Sequence, residues 1–263
     1  MLELHHNDMS TCSQKIRLTL AEKALEWTGH HLSLREGDQH KPDYLRLHPG
    51  GVVPTLIHNG IAIRESTIIN EYLDDAFPEV PVRPKLPVDH WRMRLLTKQL
   101  DEGVHAATGV ISNCTAFRFQ FAQYTAEELQ VHIDRIPDPV RRETRRQIID
   151  KGLDAPVFAP AIKRFDTLFN DLEDALAEGP WLAGEDYSLA DIAYTPYLTR
   201  FDHLQYLGML DHRPRLMDWY DRVRARPSYD VALTKWFNDK YLPLMREKGA
   251  EAWPRVKEIL GSR

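Results

Sequence analysis

Four consecutive side chains near the N-terminus carry hydroxyl or thiol groups: Ser10, Thr11, Cys12 and Ser13. They follow a short segment at residues 2–6 and precede residues 15–25, where apolar side chains recur at helical spacing. A helix N-terminus and a hydroxyl hydrogen bond both favour an ionised thiol, which is the nucleophilic form. The segment is therefore a candidate for activating a thiol, although Ser10 could also serve only as a helix N-cap.

A second group of residues has the features of a binding edge for an extended ligand. Residues 50–56 read Gly-Gly-Val-Val-Pro-Thr-Leu, and a proline inside a strand marks an edge, a bulge or a cis turn. Glu65 and Ser66 then directly precede an apolar run of helical spacing at residues 67–73. Because free N–H groups at a helix start bind carboxylates, a short peptide could use both elements.

The apolar spacing places these groups on a small α/β unit. We predict strands at residues 2–6, 27–35, 53–57 and 61–64, with the last two joined across the Asn59–Gly60 turn. Helices are predicted at residues 15–25 and 67–76, and residues 37–47 are predicted to form a loop and a short helix. The resulting order is β-α-β-α-β-β-α.

Residues 78–87 contain four prolines and indicate a linker. Beyond it the spacing predicts only helices, at residues 89–119, 125–133, 138–151, 156–178, 188–204, 213–224 and 229–247. Ser188 and Asp191 have capping-box spacing, so we predict a structural role for Asp191. The arginines at 141, 142, 145 and 146 are predicted to form a solvated helix face.

Composition excludes several classes of function. The chain has 263 residues with a formal net charge of −5, so nucleic acid is not an expected partner. Its two cysteines cannot form a disulfide framework, and no apolar run reaches the length of a membrane span. With no signal peptide at the N-terminus, a cytoplasmic location is expected. The neighbours His5 and His6 point to opposite faces of a strand, so no metal site is expected there.

Residues 47–56 and 65–73 resemble the glutathione-binding half of the cytosolic glutathione transferases, as does the order of elements over most of the chain. Trp-Leu-Ala-Gly at residues 181–184 before residue 188 is typical of that family's helical domain. The resemblance implies an α/β thioredoxin-like domain with a mixed four-stranded sheet at residues 1–78. A linker at 79–88 and an all-α helical bundle at 89–263 would follow, with glutathione as co-substrate and a homodimeric assembly.

The resemblance also assigns site residues. It implies a cis bond between Val53 and Pro54, with the Val53 backbone paired to the cysteine of glutathione. Glu65 and Ser66 would hold the γ-glutamyl end, and His40, with Lys41 beside it, would meet the glycine carboxylate. Asp101 or its neighbour would reach across a dimer interface.

The residue that controls the glutathione sulfur has three candidates. Serine-type members of the family place their activating hydroxyl at the position of Ser10. Ser13 is the alternative, because it matches better the bacterial glutathione-dependent β-etherases, which residues 65–79 and 125–142 resemble. Cys12 is a further candidate, as a thiol of low pKa that forms mixed disulfides.

The predicted reaction is glutathione transfer to a hydrophobic electrophile, including glutathione-dependent aryl-ether cleavage. The electrophile pocket is expected between the two domains, and its candidate lining residues are Met9, His105, Thr108, Phe117 and Phe121. Two alternatives are a zeta-like maleylacetoacetate isomerase, suggested by the segment at residues 10–13, and a glutathione-binding module without turnover.

Overall fold

A mixed four-stranded sheet forms the N-terminal part of the computed structural model, which describes residues 1–261. Its strands are β1 (Leu2–His6), β2 (Thr28–His31), β3 (Thr55–His58) and β4 (Ile61–Ile63), in the order β2-β1-β3-β4. Strand β1 is parallel to β2 and antiparallel to β3, which pairs antiparallel with β4. The second strand is shorter than predicted, because the Asp38 carboxylate accepts a hydrogen bond from the Ser33 N–H and turns the chain away.

Three helices accompany the sheet: α1 (Thr11–Glu22), α2 (Pro42–Leu47) and α3 (Ser66–Ala76). Apolar residues of β1, α1, β3 and α3 form one core, namely Leu2, Leu4, Ile16, Leu20, Leu56, Ile69 and Leu73. Helix α1 packs on α3 and also on two helices of the C-terminal part. This thioredoxin-like arrangement is the predicted one.

The C-terminal part of the described chain is helical. Its α-helices are α4 (Pro87–Gln99), α5 (His105–Thr115), α6 (Ala126–Asp134), α7 (Pro139–Lys151), α8 (Phe158–Ala175), α9 (Leu189–His203), α10 (Pro214–Arg224), α11 (Pro227–Ala232) and α12 (Tyr241–Leu260). Helix α9 is almost wholly buried, and the predicted capping box of Ser188 and Asp191 is present at its start. Within residues 1–261 no helix has the length and apolar character needed to cross a membrane.

The single helix predicted at residues 89–119 is wrong. A π-helical turn, Leu100–Val104, separates α4 from α5, and within it Gly103 has φ of 111°. This left-handed conformation favours glycine, and Arg164 Nη2 donates to the Glu102 carbonyl at 2.9 Å. The turn places His105 at the first position of α5.

The predicted tail helix at residues 229–247 is also wrong. It is divided into α11 and α12, because the Asn238 side chain accepts hydrogen bonds from the N–H groups of Lys240 and Tyr241 and starts a new helix. The same side chain donates to Asp8 Oδ2 at 2.8 Å, which ties this break to the loop after β1. The predicted domain limits at residues 78 and 89 stay a prediction.

Candidate functional site

A cavity of about 280 Å³ lies between the sheet-bearing part and the helical part of the chain. The N-terminal part contributes Met9, Ser10 and residues 51–53, and α5 contributes His105, Thr108 and Gly109. All five predicted pocket residues line this cavity: Met9, His105, Thr108, Phe117 and Phe121. A cavity therefore lies at the predicted position, and the binding of an electrophile in it stays a prediction.

Ser10 lines the cavity and is the N-cap of α1. Its Oγ accepts a hydrogen bond from the Ser13 N–H at 3.3 Å. Ser13 is fully buried, and its own hydroxyl accepts from the Asn7 N–H at 3.2 Å. Of the two serines, Ser10 is therefore the one that can offer a hydroxyl proton to a group in the cavity.

The peptide bond between Val53 and Pro54 is cis, as the resemblance implied. Val53 also lines the cavity, and the preceding carbonyl, that of Val52, accepts a hydrogen bond from the Tyr44 hydroxyl at 2.6 Å. Ladder pairing in β3 begins only at Thr55. The backbone of Val53 thus lies next to the sheet but outside its ladder, where an extended ligand can pair with it.

Glu65 and Ser66 lie at the start of α3. Ser66 is its first residue and is buried, whereas Glu65 is exposed and has φ of 66°. A positive φ at a residue other than glycine costs about 1–3 kcal/mol and is common at ligand-binding sites. At the next position, the Thr67 hydroxyl donates to Asp101 Oδ1 at 3.1 Å. Asp101 is therefore already held by α3 of the same chain.

His40 is placed on the cavity wall, and both of its ring nitrogens are buried without a hydrogen-bond partner within residues 1–261. Burial and the positive charges of neighbours such as Arg141 and Arg145 together lower the pKa of His40 to about 4. The imidazole is therefore neutral near pH 7 and offers an N–H group. Lys41 is exposed and pairs with Asp38 at 2.6 Å.

Cys12 and His105 form a close thiol–imidazole pair. The Cys12 sulfur lies 3.5 Å from His105 Nδ1 and 3.6 Å from Nε2. Burial opposes ionisation of Cys12, but the charges of His105 and Lys15 and hydrogen bonds from His105 and Ser66 outweigh it and lower its pKa to about 6. The thiolate in turn raises the pKa of His105. The sequence singled out Cys12 but placed His105 only in the electrophile pocket.

Lys15 and Tyr197 surround this pair. Lys15 is buried on α1, and its Nζ lies 5.8 Å from the centre of the Tyr197 ring. The Tyr197 hydroxyl lies 3.3 Å from His105 Nδ1. A positive charge one helical turn from Cys12 favours the thiolate, so this environment suits a reactive thiol.

Several polar side chains on the cavity wall were missed by sequence reasoning. Arg200, Gln120 and Tyr241 line it, as do Arg141 and Arg145. The prediction of a solvated arginine face was wrong for Arg145, which is half-buried and donates a hydrogen bond to Asn113. The four-residue spacing of Arg141 and Arg145 on one helix was the available signal, because such residues share a face.

Two further observations concern the rest of the described chain. No group of three or more His, Cys, Asp or Glu side chains within residues 1–261 is arranged to bind a metal ion. A further cavity of about 440 Å³, lined by residues such as Leu176, Pro214 and Arg215, lies away from the helix start that carries Ser10.

A thioredoxin-like domain joined to a helical bundle, with a helix N-terminus, a cis-proline turn and two phenylalanines around one cavity, defines a class of thiol-dependent transferases. Two models of one family match the chain: the glutathione S-transferase N-terminal domain at residues 9–76 and the C-terminal domain at residues 130–222. Together they match more than half of the chain, which belongs to the glutathione S-transferase family. The enzyme class implied by the resemblance, a glutathione transferase with glutathione as co-substrate, is thereby confirmed.

Individual relatives span nearly the whole chain. Protein LigF of Sphingobium sp. (strain SYK-6) is 29% identical over 95% of this chain and 99% of its own length. A tetrachloro-p-hydroquinone reductive dehalogenase of Sphingobium chlorophenolicum is 26% identical over 88% of this chain and 95% of its own. The crystal structure of the β-etherase LigF matches with a TM-score of 0.81 at 28% identity, covering 89% of this chain and 99% of LigF.

Proposed function

We propose that this glutathione transferase attaches glutathione to an aromatic electrophile in the cavity between its two parts, with Ser10 stabilising the thiolate. The observation that carries this proposal is that Ser10 and Val53 face the same cavity as Phe117 and Phe121. A thiolate at the start of α1 would receive a hydroxyl hydrogen bond and the positive end of the helix dipole. The electrophile would then lie against the aromatic wall.

Glutathione would lie along the cis-proline turn. The backbone of Val53, beside Pro54, would pair with its cysteine residue, and the start of α3, with Glu65 and Ser66, would hold the γ-glutamyl group. His40 would donate a neutral N–H group towards the glycine end. The unpartnered nitrogens of His40 support this role, because a buried donor gains a hydrogen bond when the ligand binds.

Aryl-ether cleavage is the subtype we propose. The glutathione sulfur would form a bond to the carbon that bears the aryloxy group, and the carbon–oxygen bond would break with its electron pair, releasing a phenolate. The likeness to LigF over 99% of that protein's length, and the printed description of its crystal structure as a β-etherase, support this subtype. The cavity between the two parts, with its two phenylalanines, suits an aryl leaving group.

Calorimetry with glutathione, followed by turnover assays, tests the proposal. We expect glutathione to bind, and we expect turnover of chlorodinitrobenzene and of a β-aryl ether ketone with release of its phenol. Faster turnover of maleylacetoacetate than of the aryl ether would assign the isomerase activity instead. Glutathione binding without turnover of any of these compounds would indicate a binding module, and no binding at all would contradict the proposal.

A second reaction, thiol–disulfide exchange at Cys12, is favoured by the pair with His105. The Cys12 thiolate would attack a disulfide that contains glutathione, forming a Cys12–glutathione disulfide and releasing the other thiolate. A second glutathione thiolate would then attack the glutathione sulfur, regenerate Cys12 and leave as glutathione disulfide. This requires an ionised thiol near pH 7, which the lowered pKa of Cys12 provides.

Cys114 provides a matched control for this second reaction. It is fully buried, and burial raises its pKa to about 12. After exposure to glutathione disulfide, intact-mass measurement should detect one added glutathionyl group in the Cys114→Ser variant and none in the Cys12→Ser variant. Equal labelling of both variants would remove the thiol role from Cys12.

We also propose a homodimer that joins through α4. Val88, Trp91 and Leu95 are exposed on this helix at spacings of three and four residues, and exposed Ile68 lies on the adjacent α3. Such a stripe is costly in water and is typical of a protein interface. Light scattering should report a dimer, and Trp91→Glu with Leu95→Glu should give a monomer. A monomeric parent protein would contradict the proposal.

A cytoplasmic location is proposed on the cysteine chemistry of the described chain. Cys12 and Cys114 are both free, and the Cys12 thiol has a lowered pKa, which suits a reducing compartment. Fractionation of the source cells should recover the protein with cytoplasmic markers, and recovery from an oxidising compartment would contradict this.

A further inference from the structure

The cavity wall formed by the helical part is positively charged. Arg200 on α9 is almost fully buried, and its guanidinium donates to Ser112 Oγ at 2.7 Å and to the Met9 carbonyl. It also lies 5.1 Å from the centre of the Phe117 ring. All of these partners are uncharged, so no carboxylate within residues 1–261 neutralises Arg200.

Arg145 on α7 also has an uncharged hydrogen-bond partner in the described chain. Its side chain donates to Asn113, and it has no ion pair with a carboxylate within the described residues. Arg141, one turn earlier on α7, lines the cavity too and has no ion pair in that part of the chain. Among the lining residues, which all lie within residues 1–261, there is no Asp or Glu.

The pKa values of charged groups on this wall indicate that its positive charges are not neutralised. Burial and the charge of Arg141 together lower the pKa of Arg145 to about 10. Burial likewise lowers the pKa of Arg200 to about 10. Burial lowers the pKa of His132 on the same wall, and the charge of Arg145 lowers it further. The free energy of this wall would fall if an anion bound to it.

One uncharged donor on the wall also lacks a partner. The Nε2 group of Gln120 is buried without a hydrogen bond in the described chain, and Gln120 lies in the turn Phe117–Phe121 that supplies the two phenylalanines. Cations, an amide donor and aromatic rings therefore meet at one wall. Together they fit a ring that bears an anionic group, because guanidinium groups bind carboxylates and pack on aromatic faces.

We propose that the electrophile is an aromatic acid, whose anionic group is bound by Arg145 and Arg200 while its ring lies against Phe117 and Phe121. This rests on the proposed glutathione transfer and names the substrate class of the same cavity. The glycine carboxylate of glutathione is the competing anion, because the charges of Arg141 and Arg145 reach His40, and the KM for glutathione decides between the two. The two arginines lie on α7 and α9 of the helical part.

A matched pair of probes tests the substrate class. Chlorodinitrobenzoate, with its carboxylate para to chlorine, is compared with chlorodinitrobenzamide, which has the same shape without the charge. In both reactions the glutathione sulfur forms a bond to the ring carbon, and the carbon–chlorine bond breaks with its electron pair leaving on chloride. Relative to the uncatalysed rate of each compound with glutathione, we expect kcat/KM to be about 10- to 100-fold higher for the acid.

The arginine variants show whether this preference arises at the wall. Arg145→Gln should lower kcat/KM far more for the acid than for the amide, and so remove most of the preference, with the KM for glutathione changed no more than in Arg146→Gln. Arg146→Gln is the matched control, because Arg146 is adjacent on α7 but pairs with Asp134 and lies outside the cavity. Arg141→Gln, an exposed position, is a second variant and should reduce the preference by a smaller factor.

Binding separates failure of this inference from failure of the proposed function. Dinitrobenzoate and dinitrobenzamide, which lack the leaving group, are titrated by calorimetry in the presence of glutathione. Tighter binding of the acid that Arg145→Gln abolishes supports the aromatic-acid site even if neither chloro compound turns over. Equal binding and equal turnover of acid and amide, or the same loss for both in Arg145→Gln, would overturn it.

Discussion

The sulfur of Cys12 lies 3.5 Å from Nδ1 of His105, although the two residues belong to different parts of the fold. Cys12 is in the first turn of α1, beside the sheet, and His105 begins α5 directly after the π-helical turn. Helix α1 also packs against α9, so docking of the two parts determines this distance. The thiol chemistry of the chain therefore depends on tertiary structure.

Replacing His105 should make the Cys12 thiol less reactive. In a His105→Gln variant the pKa of Cys12 should rise from about 6 towards its ordinary range, because the imidazolium charge is lost. Because only the thiolate is alkylated, the rate of Cys12 alkylation rises with pH. The midpoint of this pH profile should lie at higher pH in the His105→Gln variant. At pH 7 we expect alkylation by iodoacetamide to be roughly 10- to 30-fold slower. An unchanged midpoint would leave His105 without this role.

Removing the Ser10 hydroxyl should slow glutathione transfer. A hydrogen bond to a charged group contributes about 1.5–3 kcal/mol, so Ser10→Ala should lower kcat/KM by roughly 10- to 100-fold. Ser10→Asn keeps the helix cap and separates lost stability from lost activity. Ser13→Ala is the matched control, since the Ser13 hydroxyl is turned towards Asn7. If Ser13→Ala had the larger effect on activity, the role would move to Ser13.

Filling the cavity at Gly109 should exclude the electrophile but not glutathione. Gly109 lies within α5 and lines the cavity, and a Cβ atom added there would meet no atom within 4 Å. Gly109→Leu should therefore keep or slightly raise stability, because leucine favours a helix by about 0.8 kcal/mol over glycine. We expect KM for chlorodinitrobenzene to rise several-fold while calorimetry finds unchanged glutathione affinity. Gly109→Ala should behave like the parent protein.

Asp191 should be essential for stability. It is fully buried, and its carboxylate accepts hydrogen bonds from the N–H groups of Leu182 and Ser188 and from Trp219 Nε1 at 2.8 Å. Asp191→Ala leaves these buried donors without a partner and should cost roughly 3 kcal/mol or more in the free energy of unfolding. The control is Asp186→Ala, an exposed position that should change stability by less than about 0.5 kcal/mol. Urea denaturation compares the two variants, and equal midpoints would contradict this prediction.

Local patterns predicted the elements that depend on neighbouring residues. The turn at Asn59 and Gly60, the capping box at Ser188 and the apolar spacing of α1 and α3 each act within a few residues, so the sequence alone was sufficient. The two helix predictions that were wrong, at residues 89–119 and 229–247, overlooked local signals of the same kind. Gly103 and Asn238 carry local signals for a break, but periodic apolar residues on both sides masked them.

The sequence by itself therefore determined the thioredoxin-like unit, the helical character of the rest, and the segment at residues 10–13 as the source of candidate hydroxyl and thiol groups. Only the tertiary structure decided that His105 lies beside Cys12, and that Arg145 and Arg200 face one cavity whose described lining residues include no carboxylate. Hydrogen-bond caps and apolar periodicity act between residues close in sequence. The charge around a cavity is summed over helices that are far apart in the chain and meet only when the two parts dock.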